Sequence, residues 1–353
     1  MTRKANRPNY LISTLFTLVG FAFMGLAVAV YMLYQGAPEG EFKEILIQRG
    51  SSIAQVTQTL QENNIVTHPL LFKGLLRFTK GEKRVRAGEF RFHSGMSAID
   101  ALKVLYFNEP IVHQITIPEG YSVKQIAEVL STARLVDSQN FLDKALSAAY
   151  AKKYNFQSPN LEGYLFPDTY TFSRVDREDK IIDQMVQNFI KKTGGSILKD
   201  AAQKIGMTLE SVVTLASIIE KETANTTERP LVSSVFHNRL KKGMRLQSDP
   251  TTIYAIPDYK GNITKADLLR YHPYNTYTIP ALPPGPIASP GLAAINAALA
   301  PAQTDYLFFV AGPDGGHVFS RTYGQHSRQV TANQVAPSKG KALGKVTKKN
   351  VKN

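Results

Sequence analysis

The residues with the greatest chemical potential lie in Leu215-Ala216-Ser217-Ile218-Ile219-Glu220-Lys221-Glu222-Thr223, where carboxylates follow a strongly apolar run. An apolar setting disfavours the charged form of a carboxyl group and raises its pKa toward neutrality. A glutamic acid kept protonated near neutral pH can serve as a general acid toward a glycosidic oxygen. On a helix, Glu220 falls in line with Val213 and Ala216, so it leaves the core-facing stripe at the helix end. Glu222 points about 200° away on the same helix, so the two cannot share one sugar. It has apolar neighbours of its own at Leu215 and Ile218, and periodicity does not choose between the two carboxylates. The competing reading of either is an ordinary helix-end glutamate paired with Lys or Arg.

Other chemistries fare worse. The chain has no Cys, which excludes disulfide frameworks and thiolate zinc sites. It has no Gly-x-Ser-x-Gly elbow, no Walker A loop and no His-Glu-x-x-His pair. His317 and His326 could touch a substrate, but a structural role fits each better. No metal and no cofactor is expected.

These residues sit in a chain of 353 residues, 43% hydrophobic, which is long enough for two domains and additional segments. The formal net charge is +14, and much of it lies at the ends. Arg3, Lys4 and Arg7 precede an apolar segment, and a Lys-rich tail with no acidic residue follows Asp314. Such a tail reads first as solvated and disordered, and second as attracted to an anionic polymer or lipid surface. Nucleic acid is disfavoured as a partner, because no recognised binding module is present.

Tyr10–Tyr34 is continuous, apolar and long enough to span a hydrocarbon core of about 30 Å as a helix. With Arg3, Lys4 and Arg7 before it and Glu39 and Glu41 after it, the charge bias puts the N-terminus in the cytoplasm and the remainder outside. A cleaved signal peptide is the alternative, but the apolar run continues past the small residues Ala27 and Ala29.

A repeat follows the anchor. Ile45-x-Ile47-x-x-Gly50-x-Ser52 recurs as Phe90-x-Phe92-x-x-Gly95-x-Ser97 and as Ile115-x-Ile117-x-x-Gly120-x-Ser122. Each copy predicts a short strand, a Gly turn, a Ser N-cap and an amphipathic helix. The pattern resembles the LysM type of sugar-polymer-binding module, and a plain α+β spacer would show the same spacing.

Beyond Tyr154, the stretch Glu162–Phe172 alternates aromatic and polar residues, and Pro167 points to an edge strand or a cleft-lining loop. Helices are predicted over 180–192, 196–205, 208–222, 228–242 and 292–300, and a hairpin over 306–311 and 316–320. The segment 247–290 reads as a long functional loop, rich in turns, amides and aromatics.

Several motifs in order resemble the YceG-like (MltG-type) endolytic murein transglycosylases: Ser217-Ile218-Ile219-Glu220-Lys221-Glu222-Thr223, Phe236-His237-Asn238-Arg239-Leu240, Leu246-Gln247-Ser248-Asp249-Pro250-Thr251, Tyr274-Asn275-Thr276-Tyr277 and Leu282-Pro283-Pro284-Gly285-Pro286-Ile287. The resemblance runs from the anchor to about Val330. It implies an α+β protein with a transmembrane helix at 10–34, a LysM-like periplasmic region at 40–150 and a catalytic domain at 151–333, which the charge pattern flanks with a cytoplasmic tail at 1–9 and a Lys-rich disordered tail at 334–353.

It further implies a lyase that cuts nascent peptidoglycan strands internally at the periplasmic face of the inner membrane, alongside glycan synthases or division machinery. The first acidic residue of the family's Ile-Ile-Glu-Lys-Glu-Thr motif is its catalytic one, which is Glu220 here. Two departures are Gln325, where an acidic residue is expected before His326, and the Lys-rich tail.

On this expectation Glu220 protonates the oxygen between N-acetylmuramic acid and N-acetylglucosamine, and then accepts a proton from the C6 hydroxyl as a 1,6-anhydro ring closes. Gln247, Ser248, Asp249, Asn275 and Tyr277 are candidate polar contacts to sugar, and Tyr164, Phe166 and Tyr254 candidate stacking rings. Two rivals stand beside this reading. One is a two-carboxylate hydrolase with Glu162 or Asp249 as partner to Glu220, and the other a membrane-tethered glycan-binding scaffold without activity.

Overall fold

The computed structural model describes residues 10–36, 40–257, 259 and 261–335, with side chains placed from Ile12 to Asn333. The expected cytoplasmic tail, Glu39 and all of the Lys-rich tail from residue 336 onward lie outside the described residues. The chain forms two compact units. One holds the described residues up to Ile115 together with Leu130–Asp137 and Thr169–Ile181. The other holds Thr116–Val129, Ser138–Asp168 and the described residues from Ile182 onward. The segments of the two units interleave along the chain.

The first unit begins with the helix Tyr10–Tyr34. It is the one described helix long and apolar enough to cross a membrane, with a mean hydropathy of 2.2 over Ile12–Tyr34. Its large apolar side chains, such as Leu15, Phe16, Phe21 and Phe23, are exposed.

The strand Phe42–Ile47 then pairs antiparallel with Gly88–His93, and Ile45 faces Phe90 across the ladder. Alternation puts Ile45, Ile47, Phe90 and Phe92 on one face. That face packs on Leu60, Phe72, Leu76 and Leu105 from the helices Ile53–Glu62, Pro69–Phe78 and Ala98–Phe107. A second two-stranded sheet joins His113–Thr116 to Thr169–Phe172.

The repeat is present as local structure in all three copies. Gly50, Gly95 and Gly120 take left-handed φ values of 77°, 71° and 76°, which side-chain-bearing residues resist. Ser52 forms a reciprocal capping box with Gln55, Ser97 accepts from the Asp100 amide, and Ser122 and Gln125 cap one another in the same way as the first pair. This establishes a repeated strand–turn–helix device, not a LysM module.

In the second unit, the predicted helices occur as Glu178–Thr193 (its first turn belonging to the first unit), Ser196–Lys204, Leu209–Glu222, Arg229–Lys241 and Leu292–Leu299. The hairpin is Phe308–Ala311 paired with His317–Ser320. The expected long loop over 247–290 instead contains the helices Asp249–Ala255 and Lys265–Leu269. Pro250, a turn signal in the sequence, sits in the first helical turn, where its missing N–H costs nothing. Thr264 and Asp267 close a capping box on the other helix.

Candidate active site

The helix Leu209–Glu222 carries the site. Thr208 caps it by accepting from the Ser211 amide at 3.1 Å. Eight successive residues, Val212 to Ile219, are buried, so the helix is a core element on all sides. Its last turn delivers Glu220, Lys221 and Glu222 into three different surroundings. Within the core, the Ser217 hydroxyl donates to the Thr214 carbonyl at 2.7 Å and accepts from the Ile287 amide at 3.0 Å. This bond ties the helix to the Leu282–Ile287 motif.

Glu220 is enclosed, with 5% of its side chain exposed. Nη2 of Arg229 donates to its Oε1 at 2.6 Å, and the Gly291 amide donates to its Oε2 at 2.9 Å. The same Nη2 lies 3.6 Å from Oε2 of Glu119, whose side chain is half exposed. Burial pushes the Glu220 carboxyl above its ordinary range, and the Glu119 charge adds to this. The Gly291 amide, Arg229 and Lys221 oppose the shift without cancelling it. Lys221 turns its Nζ to the Gly120 carbonyl at 3.2 Å. Gly120 and Tyr121 in turn exchange backbone bonds of 2.8 Å with Ser289.

Glu222 faces elsewhere. Its carboxyl accepts from the buried Ser248 hydroxyl, and burial pushes it up to about 7. The charge of Asp249 adds to the shift. Asp249 itself accepts from the Tyr277 hydroxyl at 2.6 Å. Arg239 spans this side, donating to the carbonyls of Leu246 at 2.7 Å and Leu307 at 2.6 Å and reaching Gln247 Oε1 at 3.4 Å.

A cavity of about 780 Å³ opens beside Lys221, lined also by Glu162, Tyr254, Gln125, Ile253 and Ile287. Glu162 is buried and is pushed up to about 7 by that burial. It accepts from the Val123 amide, at the start of the Val123–Thr132 helix, at 3.0 Å and from the Tyr254 hydroxyl at 3.2 Å.

The predicted site residues therefore do not form one cluster. Gln247, Ser248, Asp249 and Tyr277 gather on the Glu222 side, while Glu162 and Tyr254 share the cavity. Tyr164 is a correction. It is fully buried, stacked on Phe156 at 4.2 Å with its edge to Phe189, and presents no face to a sugar. Phe166 is buried as well, because the whole stretch Leu161–Pro167 turns through the interior and alternation begins only at the strand Thr169–Phe172. Asn275 is also inward: its amide donates to the carbonyls of Asp267, Leu268 and Arg270, and its oxygen accepts from Thr252 and the Tyr277 amide. That uses its hydrogen-bonding capacity on the local fold.

His317 is bound to Glu228 at 2.7 Å and His326 stacks on Phe308, so both have structural partners. Gln325 completes a capping box with Thr322, a task its amide oxygen performs as an acidic side chain would. Among the described residues, no group of three or more His, Cys, Asp or Glu is placed to hold a metal ion.

Sequence reasoning missed Glu119, Arg229 and Gly291 as neighbours of Glu220. One pointer was available. The residue before the turn glycine is Arg49, Ser94 and Glu119 in the three repeat copies, so a carboxylate stands there in the third alone.

Comparison with known proteins identifies the family. A sequence model of the YceG-like family matches residues 45–332. The chain is 32% identical over 302 residues to the endolytic murein transglycosylase of Bacillus subtilis (strain 168), covering 80% of this chain and 82% of that protein. It is 31% identical over 316 residues to the endolytic murein transglycosylase of Streptococcus pneumoniae (strain R6), of which it spans 57%. The crystal structure of a YceG-like protein from Listeria monocytogenes superposes with a TM-score of 0.56 at 31% identity, covering 82% of this chain and 99% of that one.

Proposed function

The chain belongs to the YceG-like family, and we propose that Glu220 is the acid and then the base with which it cuts murein strands as an endolytic transglycosylase. The observation that carries this reading is the setting of Glu220: almost wholly enclosed, with proton affinity raised, and with each oxygen held by one fixed donor. A carboxyl so placed is protonated more readily than an exposed one and is oriented before substrate arrives.

In the reaction, Glu220 gives its proton to the oxygen linking N-acetylmuramic acid to N-acetylglucosamine, and the bond from that oxygen to the anomeric carbon breaks. The C6 hydroxyl of the muramic residue closes on the anomeric carbon, and its proton passes to the Glu220 carboxylate. The acid is regenerated, no water is consumed, and one end leaves as the 1,6-anhydro sugar. A single carboxyl suffices, because the nucleophile is tethered to the reacting carbon.

The Tyr10–Tyr34 helix is the membrane anchor in this reading, with Arg3, Lys4 and Arg7 on the cytoplasmic side. The catalytic residues then face the wall compartment, and proteolysis of intact spheroplasts would release the chain beyond residue 40. Protection from external protease would reverse the orientation.

A second reading has a specific observation behind it. Glu222 also has a raised proton affinity, Ser248 bonds it, and the charge of Asp249, itself bonded by Tyr277, acts on it. The test is mass spectrometry of muropeptides released by the full-length chain in detergent, with wild type beside Glu220→Gln and Glu222→Gln. Loss of anhydro products with Glu220→Gln alone supports the first reading, and loss with Glu222→Gln alone moves the role to Glu222. Products one water heavier would mark a hydrolase, and release unaffected by either variant would mark a scaffold.

A further inference from the structure

The guanidinium of Arg229 is used in an unusual way. The residue is 3% exposed, yet its Nε and Nη1 have no hydrogen-bond partner. A buried Arg built only to hold a carboxylate normally offers two parallel N–H bonds from its fork. Here one nitrogen, Nη2, serves two carboxylates, at 2.6 Å to Glu220 and 3.6 Å to Glu119. Buried donors left unused require an explanation. Gly291 adds a second constraint. Its amide holds Glu220, and a Cβ built on it would lie 1.8 Å from Oε1 of Glu119. The Glu119 carboxylate thus occupies the space that the missing side chain of Gly291 leaves open.

We infer, building on the reading of Glu220 above, that Glu119 is a positioning residue of the reaction: it shares Arg229 with Glu220 and takes over the guanidinium's charge while Glu220 carries its proton. When Glu220 is neutral, its attraction for Arg229 falls, and Nη2 closes the gap to Glu119. When the proton has passed to the glycosidic oxygen, the Glu220 carboxylate regains Arg229. A buried cation is paired at every stage, which avoids the large cost of leaving it alone. Glu119 touches neither the scissile bond nor the migrating proton and acts through Arg229.

The groups facing Glu220 are few. Arg229 comes from the Arg229–Lys241 helix, Glu119 from the turn before Gly120, Lys221 from Glu220's own helix, and the Gly291 amide from the N-cap of the Leu292–Leu299 helix. Of these, Glu119 alone favours the protonated form of Glu220, and the other three favour the carboxylate. Removing Glu119's charge therefore lowers the proton affinity of Glu220, and removing that of Arg229 raises it.

The experiment is the pH dependence of kcat/KM for anhydro-muropeptide release by the full-length chain in detergent. The limb that falls with rising pH reports loss of the acid's proton. Glu119→Gln should move that limb down by about 1 pH unit, the lower end of the shift a nearby charge produces. Arg229→Gln should move it up. A structural role for Glu119 would change the rate without moving the limb.

An unmoved limb in folded Glu119→Gln, with Glu220→Gln inactive, overturns the inference and leaves the role of Glu220 standing. Activity in Glu220→Gln overturns both. Glu119 is half exposed, so its variant decides the matter even where Arg229→Gln does not fold.

Discussion

Gly291→Ala tests the packing around Glu220 most sharply, because the two ways of relieving the clash have opposite signs. The new Cβ would lie 1.8 Å from Glu119 Oε1 and 2.1 Å from its Cδ, about an ångström inside the 3.0 Å that real contacts respect. Something must move. The colliding atoms are the far end of a half-exposed side chain, so the easier response is rotation of Glu119 toward solvent. That costs on the order of 0.5–1.5 kcal/mol, the scale of an altered rotamer, and the variant should fold.

Glu119 then leaves Arg229, and Glu220 loses the one neighbour that favours its proton. The falling limb of the pH–activity profile should drop by about 1 pH unit, as in Glu119→Gln. The double variant should match Glu119→Gln alone, since both changes remove one interaction. Should the Gly291 backbone yield instead, its amide would withdraw from Glu220 Oε2, a contact that favours the carboxylate. The limb would then rise. A rising limb, or shifts that add in the double variant, would refute the reasoning. The assays are release of anhydro products against pH and thermal melting of the full-length chain.

Other substitutions report on the frame of the site. Gly163→Ala should destabilise far more than Gly291→Ala, because φ is +84° there and the added Cβ would meet the Pro286 ring at 2.5 Å; a melting curve close to wild type would contradict this. Ser217→Ala should cost about 1–3 kcal/mol in denaturant unfolding, since it strands the buried Ile287 amide. It should also lower activity by loosening the Leu282–Ile287 motif. Glu162 has a folded-state pKa raised from 4.5 to about 7, so the stability its proton confers is full below about pH 4.5 and is lost as pH rises to about 7. Melting temperature should decline across that window and decline less in Glu162→Gln, and equal slopes would show that Glu162 is not neutral when buried.

Much of the local structure was legible in the residues themselves. The helices ending at Glu222, Lys241 and Leu299 follow apolar spacing and their N-terminal residues, and the three Gly–Ser turns follow from a left-handed residue set before a cap. The span-length apolar helix Tyr10–Tyr34 is a matter of length and composition. Misreadings arose where one sequence signal serves two structures. Pro250 marks a turn or a helix start, and only its place in the fold showed the latter. The aromatic–polar alternation over Tyr164–Phe172 suggests one extended face, but Leu161–Pro167 is an inward turn and only Tyr170 and Phe172 alternate on a strand.

The amino-acid order alone determined the span-length apolar helix Tyr10–Tyr34, the repeated turns and the apolar helix that ends in Glu220, Lys221 and Glu222. Those features depend on bonds and contacts between residues a few positions apart. Tertiary structure alone decided what each acidic side chain meets. Glu119, Glu220, Arg229 and Gly291 converge from separate segments, and Asn275 spends its donors on its own loop. Desolvation and charge coupling depend on distance in space, which spacing along the chain does not specify.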